Sequence, residues 1–308
     1  MTKRRVVSLL PAGTEIVHSL GAASWLVGRS HACDYPAVVQ PIPAVTAPSV
    51  ALGGSGVEID RAVKSAGAEG RSLYQINISL LRELTPEVII TQGQCPVCAV
   101  SPADVERALV DWPGPRPTVV SLTPARFSDL WTDFWKVASA LGIEDRIPSV
   151  VGPLKERVVA MIGITGGMTK RPRIACVEWL DPLMLAGNWV PDMIELAGGE
   201  PLGPAPGKHS GWITLEALVE EEPEVLALMP CGFDLSKTVQ EMKPLQATPS
   251  WKALPAVRSG RVYAVDGNAL FNRPGPRLVD SLEILAHILH PNVFPAPKAK
   301  SVLAPAGG

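Results

Sequence analysis

LLRELTPEVIITQGQC (residues 80–95) and ALVEEEPEVLALMPCG (residues 217–232) share one frame. Each carries Glu-x-x-Pro-Glu-Val, then an apolar run, then a loop containing cysteine. Proline ends the helix before it, and the β-branched run behind it reads as a strand, which is how a βα unit feeds its sheet. The recurrence predicts two related α/β lobes. A weaker echo sets GTEIVHSLGA (13–22) beside VPDMIELAGG (190–199), two helical patterns that end in glycine.

Outward from that frame, short apolar runs alternate with helical patterns, as parallel sheets require. Strands are predicted at 5–10, 25–30, 87–92 and 118–122, and again at 173–179, 224–230 and 261–267. Between the groups, ARFSDLWTDFWKVASALG (125–142) and IPSVVGPLKERVVAMIG (147–163) keep helical spacing with no strand signal. The expected organisation is an N-terminal lobe over 1–124, a helical spine over 125–165 and a C-terminal lobe over 166–294. The tail, 295–308, lacks an apolar period and is expected to be disordered.

The chain has 308 residues, 46% of them hydrophobic and 19% charged, with a net charge of −2. That composition suits packed lobes and lacks the concentrated basic surface that nucleic acid or an anionic membrane requires. The apolar run Val6 to Leu10 is too short for a secretory segment, and no stretch approaches a membrane span. A cytoplasmic location is expected, with Cys33, Cys95, Cys98, Cys176 and Cys231 as thiols or ligands rather than disulfides.

In open parallel sheets, ligands sit outside the carboxyl ends of the strands. Cys33, Cys95, Cys98 and Cys231 all follow predicted strands, whereas Cys176 falls inside one. Four thiolates suffice for zinc or an iron–sulfur cluster. Cys95 and Cys98 alone suit a redox pair, or simple packing, because a zinc ribbon needs a second Cys-x-x-Cys and none is present. The same loops carry Tyr35, Tyr74, Trp179 and Trp189, and beyond them Trp212, Phe233 and Phe271. Pro11, Gly13 and Thr14 form a turn into a helix start, where free N–H groups favour an anionic or carbonyl edge. A cleft rich in aromatics and poor in charge suits a large, mostly apolar small molecule. Glu178 is expected to pair with Arg273 or Arg277.

RVVSLLPAGTEIVHSLGAASWLVGRSHACDYP, LLRELTPEVIIT, LEALVEEEPEVLALMPCGFD and WKALPAVRSGRVYAVDG together resemble the cobalamin and ferric-siderophore binding proteins of ABC importers. CDYP, QCPVCAV, EWLDPLMLAGNWVPDM and NRPGPRLVD are similar to the subgroup called cobalamin-binding. The resemblance spans nearly the whole chain. It implies the class III periplasmic-binding fold: two Rossmann-like α/β lobes, a rigid helical spine, and ligand held between the lobes. It implies a corrinoid, cobalamin or a precursor, whose ring face meets Tyr35, Trp179, Trp189, Trp212 and Phe233. Its amide side chains would meet Thr14 and Gln92, with Cys33, Asp34, Tyr74, Phe271 and Arg273 also at the site. The family docks on a permease through one acidic residue per lobe. Glu216 stands at that position in the second lobe but Ser79 in the first, which counts against permease docking.

Overall fold

A computed structural model describes residues 2–51, 53–94, 99–297 and 303–305. The chain divides into two compact units, Met1–Pro124 with Asp129–Pro153, and Ala125–Ser128 with Leu154–Gly308.

The first unit runs β1 (Val6–Ser8), α1 (Pro11–Ser19), β2 (Leu26–Arg29), β3 (Thr46–Pro48), α2 (Gly56–Ala68), β4 (Tyr74–Ile76), α3 (Ile78–Leu84), β5 (Val88–Gln92), α4 (Pro102–Ala108), β6 (Thr118–Leu122) and α5 (Asp129–Leu141). Its sheet is parallel in the order β2-β1-β5-β6, and β3 and β4 pair separately. Val7, Leu9, Leu81, Ile89 and Val105 are buried together beneath the sheet. Each such side chain contributes roughly 1.5–3 kcal/mol.

α6 (Ile147–Thr165) carries Pro153 inside it, and the division between units falls just after that residue. The second unit continues with β7 (Arg173–Leu180), β8 (Leu183–Leu185), α7 (Val190–Leu196), β9 (Glu200–Leu202), β10 (Gly211–Trp212), α8 (Leu215–Glu220), β11 (Val225–Leu228), α9 (Leu235–Glu241), α10 (Lys243–Gln246), α11 (Pro249–Ala253), α12 (Pro255–Arg258), β12 (Val262–Val265), α13 (Leu278–Leu289) and β13 (Leu303–Pro305). Its sheet is ordered β10-β8-β7-β11-β12-β13, with β9 also on β7. The core strands β7, β11 and β12 are parallel. Ala175, Val177, Leu226, Leu228, Trp251 and Val262 form the core.

The repeated frame has a structural cause. Thr85 and Glu222, each just before the proline, take left-handed backbone at φ 40° and 47° and end α3 and α8. The glutamate behind each proline does the same work twice. Glu87 accepts the backbone N–H of Arg5 at 2.9 Å, and Glu224 accepts that of Arg173 at 3.0 Å. Each also donates its own N–H to the carbonyl of that arginine, at 2.8 and 2.9 Å. The frame thus clamps β5 onto β1 and β11 onto β7.

Across the expected spine, α5 and α6 are helical, with α5 in the first unit and Ala125–Ser128 in the second. Asp192 explains the latter: it accepts from Arg126 Nε at 2.7 Å and from the Phe127 N–H at 3.0 Å, tying that segment to α7. Within the expected tail, β13 pairs antiparallel with β12. A strand of three residues, Leu303–Pro305, is too short to leave an apolar period in the sequence.

Candidate functional site

In the first unit, the loops behind β1, β2 and β5 converge through buried groups. α1 starts at Pro11 against β5: a Cβ on Gly13 would stand 2.8 Å from Ile90 and 2.9 Å from Ser8 Oγ, so only glycine permits this approach. Thr14 is fully buried and its hydroxyl donates to Cys33 Sγ at 3.0 Å. Gln92 is buried as well. Pro11 is half-buried, whereas Asp34 and Tyr35 are exposed, Tyr35 by 47%. Tyr74 packs against His31 with ring centroids 5.5 Å apart and the ring planes tilted by 34°. The His31 ring Nδ1 lies 2.8 Å from Thr46 Oγ1. Burial first, and then the nearby Arg29 charge, push the His31 pKa down, favouring the neutral imidazole.

The second unit presents a different surface. β8 folds back along β7 and sets Met184 opposite Trp179, and β10 folds back along β8 and sets Trp212 opposite Met184. Residues directly opposite on antiparallel strands project from the same face. Leu183 and Leu185 turn into the core, which leaves the alternate position, Met184, on the other face. The result is a row Trp179–Met184–Trp212 near the carboxyl end of β7, with Trp179 and Met184 half-buried and Trp212 58% exposed. Phe233 extends the row, its ring 5.2 Å from that of Trp179, and Lys237 Nζ lies 4.2 Å from the Phe233 centroid. The Trp179 indole N–H donates to the Asp181 carbonyl at 3.1 Å.

Trp189, Phe233 and Phe271, expected as ring faces or ligand contacts, are buried. Trp189 Nε1 donates to the Phe271 carbonyl at 2.7 Å, and Ser281 Oγ accepts the Phe271 N–H at 3.1 Å. Both bonds hold Phe271 at φ 57°, a costly backbone region for a bulky residue. Trp189→Phe is therefore expected to lower stability by about 1–3 kcal/mol, since it orphans a buried carbonyl. Ligand affinity should stay unchanged, as denaturant melts paired with binding titrations would show.

Glu178 does not take the arginine partner expected of it. Its carboxylate accepts the Ser210 hydroxyl at 2.6 Å, while Arg273, itself buried, donates to Asn268 Oδ1 at 2.9 Å. Burial pushes the Glu178 pKa up, against the opposing pull of Ser210, the Gly187 N–H and His209. The folded state thus holds this proton more tightly than the unfolded chain. The stability it contributes is complete below the ordinary glutamate range and is lost as pH rises through the raised value. Glu178→Gln should remove that fall, giving a flatter dependence of melting temperature on pH from the ordinary glutamate range upward.

Cys95 and Cys98 lie outside the described residues. Cys33 is turned inward to Thr14, and Cys176 is buried in β7 with its thiol pKa pushed up by desolvation. Among the described residues, no three His, Cys, Asp or Glu side chains gather closely enough to hold a metal ion. The expected zinc or iron–sulfur site of Cys33, Cys95, Cys98 and Cys231 has no support there.

Residues 6–269 match the family described as periplasmic binding protein. The chain belongs to that family. It is 22% identical over 296 residues to an uncharacterized ABC transporter substrate-binding lipoprotein, YvrC, of Bacillus subtilis (strain 168), a match covering 94% of this chain and 81% of that protein. Among solved structures it resembles the periplasmic heme-binding protein RhuT of Roseiflexus sp. RS-1 (TM-score 0.69, 21% identity, 94% of this chain and 99% of that one). It also resembles the periplasmic vitamin B12 binding protein BtuF of Vibrio cholerae (TM-score 0.67, 18% identity, 93% and 96%). At these identities the structural likeness carries the fold, which is the class III periplasmic-binding architecture expected. A periplasmic binding protein binds a small-molecule ligand. Among its described residues, no helix of this one is long and apolar enough to cross a membrane.

Sequence reasoning missed Met184 and Ser210. Both sit on strands of two or three residues or beside them, too short to show alternation. The Trp-Leu-Asp-Pro-Leu-Met run of 179–184 is the one local signal: a proline turn between apolar residues marks a hairpin.

Proposed function

We propose that this periplasmic binding protein binds a corrinoid, cobalamin or a precursor, with the ring laid on the Trp179–Met184–Trp212 row. That row is the observation carrying the proposal. It offers two indoles and a thioether, partly open to solvent, and indole and thioether contacts favour a flat, polarisable ring. The resemblance of CDYP and EWLDPLMLAGNWVPDM to the cobalamin-binding subgroup supports the same reading. So do relatives named for vitamin B12 and for heme, since both molecules are metal-centred tetrapyrroles. Equilibrium dialysis against cobinamide and cobalamin tests it: retention of either at one per chain supports the proposal, and retention of neither rejects it.

The protein works in the cytoplasm in this reading, a location supported by the free thiols of Cys176 and Cys231. A second reading, the substrate-binding component of an importer, is supported by the family itself and by Glu216, exposed on α8 where it accepts the Ser250 hydroxyl at 3.0 Å. Ser79, exposed on α3, supplies no matching charge. Fractionation of cells making the native gene product separates the two: recovery with the soluble cytoplasmic fraction favours the first, recovery with the membrane or export compartment the second.

A further inference from the structure

The register of the row says where the centre of a bound ring lies. Neighbouring strands are about 4.8 Å apart, so the backbones at Trp179 and Trp212 stand about 10 Å apart with Met184 midway. A tetrapyrrole macrocycle spans a comparable width. One that touches both indoles is centred over Met184, and its centre is the metal.

We propose that the metal of the bound macrocycle sits over Met184, and that the Met184 thioether is its axial ligand on the protein face. The inference rests on the corrinoid reading above and adds to it the position and the ligand atom. The side chain suits the role. Thioether sulfur is a soft donor that carries no proton at any working pH and ligates metals held in macrocycles. Met184 is half-buried, so the residue is neither enclosed in the core nor fully open to solvent. Its two chain neighbours, Leu183 and Leu185, are anchored in the core and hold the strand in register, and Leu185 pairs both with Val177 of β7 and with Gly211 of β10. No other residue of the row carries an atom that ligates a metal. Ligation is a simple exchange in which sulfur donates a lone pair and the water bound at that axial position leaves.

The test uses cobinamide, which lacks the nucleotide base of cobalamin and so brings no axial nitrogen of its own. The intact protein, Met184→Leu, Met184→His and Trp212→His are each titrated with it. The bound complexes are then reduced to the cobalt(II) state and their electron paramagnetic resonance spectra recorded. Met184→Leu is expected to keep one-to-one binding with affinity lowered up to about tenfold, the scale of a sulfur–aromatic contact. It should also lose the shift in visible absorbance that replacement of axial water produces in the intact protein. Met184→His is expected to gain nitrogen superhyperfine splitting, because imidazole then stands beneath the cobalt, and Trp212→His is expected to gain none. A Met184→His complex that holds cobinamide without that splitting overturns the inference and leaves the corrinoid reading standing. Splitting of equal strength from Trp212→His overturns it too, since the metal would then not be centred. Failure of the intact protein to bind cobinamide or cobalamin removes both readings together.

Discussion

Gly267→Ala is expected to destabilise the protein by about 3 kcal/mol or more, well above the usual cost of a glycine replacement. Gly267 follows β12 where the chain crosses the loop behind β11. A Cβ there would stand 2.7 Å from the Met229 carbonyl and closer still to that of Pro230. Both obstacles are backbone, so no side chain can swing aside. The crossing is pinned from a second direction, because Asn272 donates to the carbonyls of Met229 and Gly267, each at 2.9 Å. Asn268 N–H also donates to the Phe233 carbonyl at 2.9 Å, so forcing the two loops apart displaces the ring that extends the aromatic row. Loss of stability should therefore come with loss of ligand affinity in the fraction that still folds. Urea unfolding of the variant beside Asn272→Ala measures the first effect. An unchanged midpoint for Gly267→Ala would mean the loops part freely.

Trp212→Ala should weaken corrinoid binding by about 1–3 kcal/mol, roughly fivefold to 150-fold. Trp212 is 58% exposed, so its removal leaves no cavity in the core and stability should change little. Trp179→Ala should cost similar affinity, but it also strips a neighbour from Phe233 and frees the Asp181 carbonyl, so a stability loss of about 1 kcal/mol accompanies it. The two should couple in a double-mutant cycle, because one ring bridges both. Affinity by titration and stability by denaturant, measured on the same four proteins, distinguish a ligand platform from ordinary surface aromatics. Equal affinity in all four would remove the row from the site.

The two lobes were legible because the Glu-x-x-Pro-Glu-Val frame is local and doubly determined. Proline stops the helix, and the glutamate behind it captures the N–H of Arg5 or Arg173. All seven expected strands form, as β1, β2, β5, β6, β7, β11 and β12. The site was only partly legible, for a physical reason. Position at the carboxyl end of a strand says which loop a residue occupies and not which way its side chain turns. Cys33, Thr14, Trp189 and Phe271 are in the expected loops, yet all four are buried, with the Thr14 hydroxyl donating to Cys33 Sγ and the Trp189 indole to the Phe271 carbonyl. Tyr35, in the loop behind β2, keeps exposed surface, as do Trp179 near the end of β7 and Trp212 in β10. The row itself comes from antiparallel excursions β8 and β10, which interrupt the βα rhythm and are too short to alternate.

The most direct test of the corrinoid assignment is a calorimetric titration of the purified protein with cobinamide, cobalamin, hemin and a ferric siderophore in parallel. The account predicts that a corrinoid saturates the protein at one-to-one with a dissociation constant of about a micromolar or tighter, and more tightly than the other two ligand classes. Heat with hemin or the siderophore alone, and none with either corrinoid, would contradict it.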